Sequence, residues 1–421
     1  MATPAVAGTA PAQTAPAQSV YGLPKYGTQK RLVPDSGNQS VALVPAQGLQ
    51  TNAPTTKLDQ LDIVRGLKIY ANLTETWTAG AAKTLTKSPF YPATCFSLIN
   101  IKLQAAYSTF NLTGALASII QAFRPQWGAA QVGQTRPNVF ANPVNAVAPT
   151  ISTAGTPTVL APMSIDVPFS WFFHEYYDLD AQGNPMSKHF DTVVTPVFMA
   201  AQARVVNPTI QLGPQLGSSD LLGSPVAGVT GDTLSTLTAA TGSLQFMRDA
   251  WWTSSNPAAN PPSFPWMYTR DMFQQPTQGQ AKVGVLIQNT NVSVGQVLSL
   301  FGFVWDPAAN AGLGGIVPMS SIFSFELVTG GSLQNRYMVP QVLTDKMRAL
   351  YGAAIVDNFP NGVFVIDFML EEDGGYFSNA NAINTYLVNG VALNITFVAG
   401  SIPSATATVY LGVEALKLVT S

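Results

Sequence analysis

No apolar run in this chain is long enough to be more than a β-strand. The greasiest stretches, such as Val297 to Trp305, have strand length. None reaches the roughly 18 consecutive apolar residues that a membrane helix needs. A chain that is 47% hydrophobic must therefore bury its apolar residues in many short pieces. Several of those pieces alternate. From Ile63 to Trp77, Leu67, Ile69, Ala71 and Leu73 share one face, the period-two pattern of a half-buried strand. Further strand candidates in the first half are Ala93 to Ala106, Ser164 to Tyr176, Val193 to Val205 and Leu244 to Trp252. In the second half they are Ala281 to Asn289, Val297 to Trp305, Ser321 to Thr329, Val363 to Leu370, Ala392 to Val398 and Thr406 to Leu418.

Helical spacing occurs twice. Leu112, Leu116, Ile119, Ile120 and Phe123 fall on one helical face, with Asn111 placed to cap the N-terminus. Leu343, Met347, Leu350 and Tyr351 do the same within Pro340 to Ala354, where Pro340 suits a first turn. Long turn-rich segments, Pro125 to Pro162 and Asn207 to Thr241, separate the strands; such loops are uncommon in compact domains unless they have a role.

At about 100–200 residues per domain, 421 residues predict two domains. Residues 1–57 read as an extended N-terminal arm, Ala-, Pro-, Thr- and Gln-rich to Ser19 and turn-rich from Val20 to Pro54. The first β-domain is expected over 58–253, a Pro/Asn-rich linker over 254–266 and the second β-domain over 267–421. Each half contains an apolar strand closing on acidic residues and a tight turn. These are Val167 to Tyr177 before Asp178, Asp180 and Gly183-Asn184, and Val363 to Leu370 before Glu371-Glu372-Asp373 and Gly374-Gly375. A duplicated β-domain would produce such an echo. The expected class is all-β, with eight short strands per half; that arithmetic suits a jelly roll and other sandwiches alike.

Charge narrows the function. Asp, Glu, Lys and Arg make up 10% of the chain, against about a quarter in an ordinary soluble domain. A free monomer depends on charged surface to stay dispersed, so this chain is expected to cover its exterior with neighbours. A net charge of −2 argues against the basic face that binds phosphate backbones. The single Cys95 precludes an internal disulfide framework and a thiolate zinc cluster, and suits a reducing compartment. Residues 1–20 lack a basic start followed by an apolar run, so no signal peptide is expected.

Nothing in the chain reads as a catalytic, cofactor or metal site. His174-Glu175 opens like a zincin helix but has no second histidine at the required spacing. Asp178, Asp180, Gln182 and Gly183 begin a calcium-loop pattern, yet His189 stands where a bidentate Glu is needed. Glu371-Glu372-Asp373 are adjacent, whereas glycosidase carboxylates face each other across a cleft. No Gly-x-Ser-x-Gly elbow is present, and Cys95 reads as a buried thiol. The aromatic groups Trp171-Phe172-Phe173, Trp251-Trp252 and Phe264, Trp266, Tyr268 read first as core or interface, second as a stacking surface for sugars. Lys25, Lys30 and Arg31 give the arm its only cluster of positive charge, a candidate contact with a membrane or a neighbouring subunit.

Taken in order, the segments resemble the major capsid protein of tectivirus-like, membrane-containing bacteriophages, the double jelly-roll lineage. The clearest stretch runs from Pro340 to Phe368: a helix ending Leu350-Tyr351, then Val356-Asp357-Asn358-Phe359-Pro360-Asn361-Gly362-Val363-Phe364. It is similar to that family's helix and Asp-Phe-Pro-x-Gly-Val-aromatic turn, with Asn358 inserted. Asp62 to Trp77 looks like the opening strand of the first barrel, and Val167 to Asp180 like an aromatic strand ending Tyr-x-x-x-Asp-Leu. The arm departs from the pattern, being Pro-interrupted where relatives carry a Gln/Ala-rich helix. The resemblance implies two eight-stranded jelly rolls side by side, with a few short helices. It further implies a homotrimer beside neighbouring trimers in an icosahedral virion shell, minor capsid or vertex proteins, and an internal lipid membrane beneath. Assembly in the host cytoplasm and the absence of catalysis follow from it. The alternative kept open is a β-sandwich virion spike that binds a receptor or glycan.

Overall fold

The computed structural model describes the backbone of residues 28–34, 39–43, 49–52, 56–57, 62–78, 83–84, 90, 93, 96–103, 107–123, 150–151, 157–159, 163–168, 177–179, 185–187, 198–199, 205–212, 236–253, 266–287, 295–312, 314–330, 332–337, 339–357, 359–368, 382–385 and 390–418. In chain order the first half contributes strands β1 (Asp62–Thr78), β2 (Phe96–Leu103) and β3 (Tyr107–Leu112), helix α1 (Gly114–Phe123), then β4 (Val205–Leu212) and β5 (Thr236–Thr253). The second half contributes β6 (Trp266–Pro276), β7 (Lys282–Ile287), β8 (Gly295–Asp306), β9 (Ile322–Thr329) and β10 (Ser332–Tyr337). Helix α2 (Pro340–Tyr351) and strands β11 (Phe364–Asp367), β12 (Val391–Phe397) and β13 (Thr408–Leu418) complete it.

The second half closes as a jelly roll. Its strands lie in two sheets, β6-β13-β8-β11 and β7-β12-β9-β10. Counted from one to eight in chain order, that is 1-8-3-6 facing 2-7-4-5, the wrapping that defines this sandwich. The sequence accounts for it. β12 alternates buried and half-buried residues, so it covers the core with one face. Phe325 of β9 and Phe364 of β11 meet across the two sheets with ring centroids 4.7 Å apart.

In the first half, β1 and β5 form one long antiparallel pair, from Asp62 opposite Trp252 to Thr78 opposite Thr236. Short segments flank them: Met163–Pro168 on β1, and Thr28–Pro34 and Gln39–Leu43 on β5. A second sheet holds β3, β2 and β4, edged by Leu49–Asn52 and Thr56–Lys57. This sheet does not stop at the half. β3 pairs in parallel with β6, Phe110 opposite Arg270 and Asn111 opposite Asp271. One continuous sheet thus runs through both halves.

Several sequence expectations are refined. Residues 28–57, expected as turn-rich arm, supply four edge strands. Edge pairing uses backbone N–H and C=O groups and needs little apolar alternation, so the pattern did not signal it. The expected loop 207–241 is entered from both sides by β4 and β5. Trp266, the last residue of the expected linker, opens β6, while 254–265 lie outside the described residues. The first helix begins at Gly114, and its cap is Thr113, whose Oγ1 accepts from the Leu116 N–H at 3.4 Å. Asn111 instead sits on β3, where its Oδ1 accepts from Asn100 Nδ2 at 3.0 Å. The second helix stops at Tyr351 because Gly352 adopts φ +86°, after which Ala353–Val356 makes one further turn. Among the described residues no helix is long and apolar enough to cross a membrane.

Candidate functional site: the buried seam

The sheet β6-β13-β8-β11 is covered on both faces. One face is the interior of the second sandwich, reached by Phe364, Leu300, Leu411 and Val413. The other meets the first half. Residues directly opposite in a ladder share a face, so Phe301, Gly412 and Met272 lie together on that side. Helix α1 packs there with all ten residues buried, which suits its charge-free sequence GALASIIQAF. Phe123 of α1 sets its ring edge-on to Phe301 at 5.6 Å and lies 5.3 Å from Tyr351. Phe90 comes from the same half with φ +63°, a left-handed conformation costly for a bulky residue. Its ring sits 5.2 Å from Phe303, which in turn stacks on Tyr410 at 5.3 Å.

Across this apolar face runs a row of polar side chains. Arg270 stands opposite Glu414, Glu414 opposite Ser299, and Ser299 opposite Asp367. Arg270 and Glu414 are each 1% exposed, and their closest charged atoms are 3.7 Å apart. Arg270 Nε donates to the Tyr268 hydroxyl at 2.9 Å, and that hydroxyl donates to Glu414 Oε1. Ser299 Oγ donates to Glu414 Oε2 at 2.8 Å, and the Tyr351 hydroxyl donates to Asp367 Oδ2. The guanidinium also lies 5.4 Å from the centroid of the Tyr268 ring. On the opposite face Lys417 pairs with Asp271. The Glu414 and Asp367 carboxylates are buried and accept hydrogen bonds from Tyr268, Ser299 and Tyr351. What the row can do chemically is hold four strands in one alignment.

At the end of β8 a separate staple forms. Asp306 accepts from Ala308 N–H at 2.9 Å, Ser404 N–H at 2.9 Å and Ser404 Oγ at 2.5 Å. Burial pushes its carboxyl up, but the bonds from the Ser404 hydroxyl, the Ser404 amide and the Ala308 amide outweigh it. The group is held below the usual carboxylate value.

The residues singled out from sequence fall as follows. Lys30 and Arg31 lie on the strand Thr28–Pro34, opposite Trp251 and Ala250 at the edge of β5, so the structure brings these two together on one sheet edge. Lys25, Cys95, His174, His189, Asp180, Gln182, Gly183, Trp171-Phe172-Phe173, Phe264 and Glu371-Glu372-Asp373 lie outside the described residues. Asp178 pairs with Met186 in the hairpin Tyr177–Leu179/Pro185–Ser187. Among the described residues no group of three His, Cys, Asp or Glu side chains could hold a metal ion. Tyr268 is 1% exposed and belongs to the seam. Sequence reasoning missed Arg270, Ser299, Asp367 and Glu414. The signal was there: single charges inside apolar strands, as in Val-Ile-Asp-Phe and Gly-Val-Glu-Ala, in a chain where charge is scarce.

No protein-family profile matches the sequence, and no curated protein does. Solved structures do match. The crystal structure of the STIV MCP is similar with a TM-score of 0.55 at 12% identity, covering 92% of this chain and 97% of that one. The atomic structure of Sulfolobus Turreted Icosahedral Virus contains a chain similar at TM-score 0.50 and 10% identity, covering 93% of this chain and 91% of that one. At such identity the likeness is one of fold, and it extends nearly end to end: this chain is mostly β-sheet with few helices, of the double jelly-roll type.

Proposed function

We propose that this chain is a viral structural protein, the major capsid subunit of an icosahedral virion. The observation that carries the reading is the fold likeness to the STIV MCP over 92% of this chain and 97% of that chain. The charge content of 10% supports it, because a subunit in a dense shell covers much of its exterior with copies of itself. The seam gives a mechanism based on geometry. A rigid pair of sandwiches places two similar units at neighbouring positions, so a homotrimer presents six and can tile a hexagonal lattice beside other trimers. Minor capsid or vertex proteins would fill the positions such a lattice leaves. An internal lipid membrane would lie beneath the shell, with Lys25, Lys30 and Arg31 of the arm meeting either its headgroups or a neighbouring subunit. In this reading the chain is not an enzyme, needs no cofactor and reads no nucleic-acid sequence. It assembles in the host cytoplasm and resides in the virion. The spike alternative rests on the aromatic content, of which Tyr268 is buried in the seam.

Size-exclusion chromatography with mass measurement, joined to negative-stain microscopy, tests the proposal. The expected result is three-fold particles with the mass of three chains. A stable monomer at micromolar concentration overturns it.

A further inference from the structure

The strands at the seam pose a problem of register. In most sheets a one-residue slip is opposed because it turns apolar side chains out to water, whereas a two-residue slip keeps every side chain on its own face. That safeguard is missing here. β8 is buried on both faces along nearly its whole length, and β13 is buried from Leu411 to Lys417. An in/out pattern therefore says little about which face of the sheet meets α1 and which meets the sandwich interior. A two-residue slip of β13 against β6 would still bury apolar residues on both sides.

We propose that the buried polar row Arg270–Glu414–Ser299–Asp367, with Tyr268 and Tyr351, fixes the register of this doubly covered sheet. The geometry supplies the discrimination. In the observed register Arg270 opposes Glu414 on the seam face, while Asp271 and Lys417 pair on the other. The polarity is reversed between faces, since β6 carries the cation on one and the anion on the other. A slip of two residues places Arg270 opposite Leu416 or Gly412 and draws it away from Glu414. The same slip moves Glu414 off Ser299. Every such register leaves ionised groups buried without the partners built for them, which a hydrophobic slip alone would not penalise. A single buried polar pair is known to set alignment in otherwise uniform apolar packings. The row also reaches across the junction, because Arg270 is the residue that opposes Phe110 in the parallel pairing of β3 with β6.

The full-length chain carrying Cys95→Ser provides the test. Two cysteine pairs are introduced separately: Thr269→Cys with Ala415→Cys, opposite each other in the observed register, and Thr269→Cys with Val413→Cys, opposite only after a two-residue slip. Each protein is refolded under oxidising conditions, and cross-linked chain is quantified by mass spectrometry. With the polar row intact, the in-register pair should dominate by more than about a hundredfold. With Arg270→Leu and Glu414→Leu together, the chain should keep its β content but its preference should fall below about tenfold, since buried ion pairs exchange for apolar residues without loss of folding. Phe301→Leu, which keeps the row and removes the ring over Gly412, should retain the native preference. An apolar double variant that still forms only the in-register cross-link overturns the proposal. So does its failure to fold, or a loss of register in Phe301→Leu.

Discussion

Phe123→Ala asks whether the seam is a shared core or a contact between independent units. The ring is 2% exposed, so truncation forfeits nearly its whole transfer free energy, about 1.5–3 kcal/mol for a buried side chain of this size. A cavity penalty adds to that, because the neighbours cannot close in. Phe301 stands on a strand paired along both edges, and Tyr351 is tied to Asp367. The sum is roughly 3–5 kcal/mol, the range for buried Phe→Ala. Phe325→Ala supplies the internal standard, its ring being wholly buried in the sandwich interior against Phe364. Urea unfolding of the full chain, followed by tryptophan fluorescence and far-UV circular dichroism, should show both substitutions moving one common transition by similar amounts. A cost below about 1 kcal/mol for Phe123→Ala would place the ring among surface residues. That result, or two transitions of which only one responds to Phe123→Ala, refutes the shared core.

Three other outcomes are expected. Gly302→Ala puts a methyl into the Tyr410 carbonyl and Gly412→Ala puts one into the Phe301 ring. Each should cost roughly 1–3 kcal/mol by overpacking, Gly302 the more because backbone cannot yield; neutrality in the same unfolding assay would count against the packing described. Asp306 has a folded pKa below its unfolded one. Its contribution is therefore present above the ordinary carboxylate value near 3.9 and is lost as pH falls through the folded value. Asp306→Asn should lower the melting temperature at neutral pH and flatten its acid limb, and an unchanged limb would show the staple to be inert. Finally, self-association measured by sedimentation should not weaken as salt rises from about 0.05 to 0.5 M, a range that screens exposed charge strongly. Dissociation at high salt would point to an ionic interface instead.

What could be read from the sequence divides along a physical line. Strands whose own residues carry the pattern were legible: β1, β8, β9, β12 and β13 all fall where alternation or apolar runs place them. So was α2, whose Pro340 and apolar stripe stand at the observed positions. Strands specified by their partners were not. β10 and the segments at 28–57 are held at edges by ladder bonds, and a polar sequence such as Ser-Leu-Gln-Asn-Arg-Tyr says nothing of the strand beside it. β3 was hidden by the helix after it, whose apolar spacing runs back as far as Leu112. Single charges inside apolar strands marked Arg270, Asp367 and Glu414 one by one, but their joining with Ser299 in one row was not legible, because no local pattern brings positions 270, 299, 367 and 414 together.

The scarcity of charge and the buried row bear on the same question, what the exterior of this chain is like. In an ordinary domain nearly all charge is outside. Here Arg270, Glu326, Asp367, Glu414 and Lys417 are buried. The exposed groups with described partners are matched with one another or with these: Lys282 with Glu326 at 2.6 Å, and Arg348 with Asp357 at 2.8 Å and Asp345 at 3.6 Å. The chain thus places part of a small charge complement inside and largely cancels what the described surface of the second half keeps. Long-range repulsion between copies is consequently weak, and close approach is limited by shape more than by field. Leu286, Phe323, Val339, Val342 and Ile402 remain exposed on that surface. Charge in the described second half is thus concentrated in the buried row and sparse on the surface around it. The internal row and the bare surface are then two consequences of one allocation of charge.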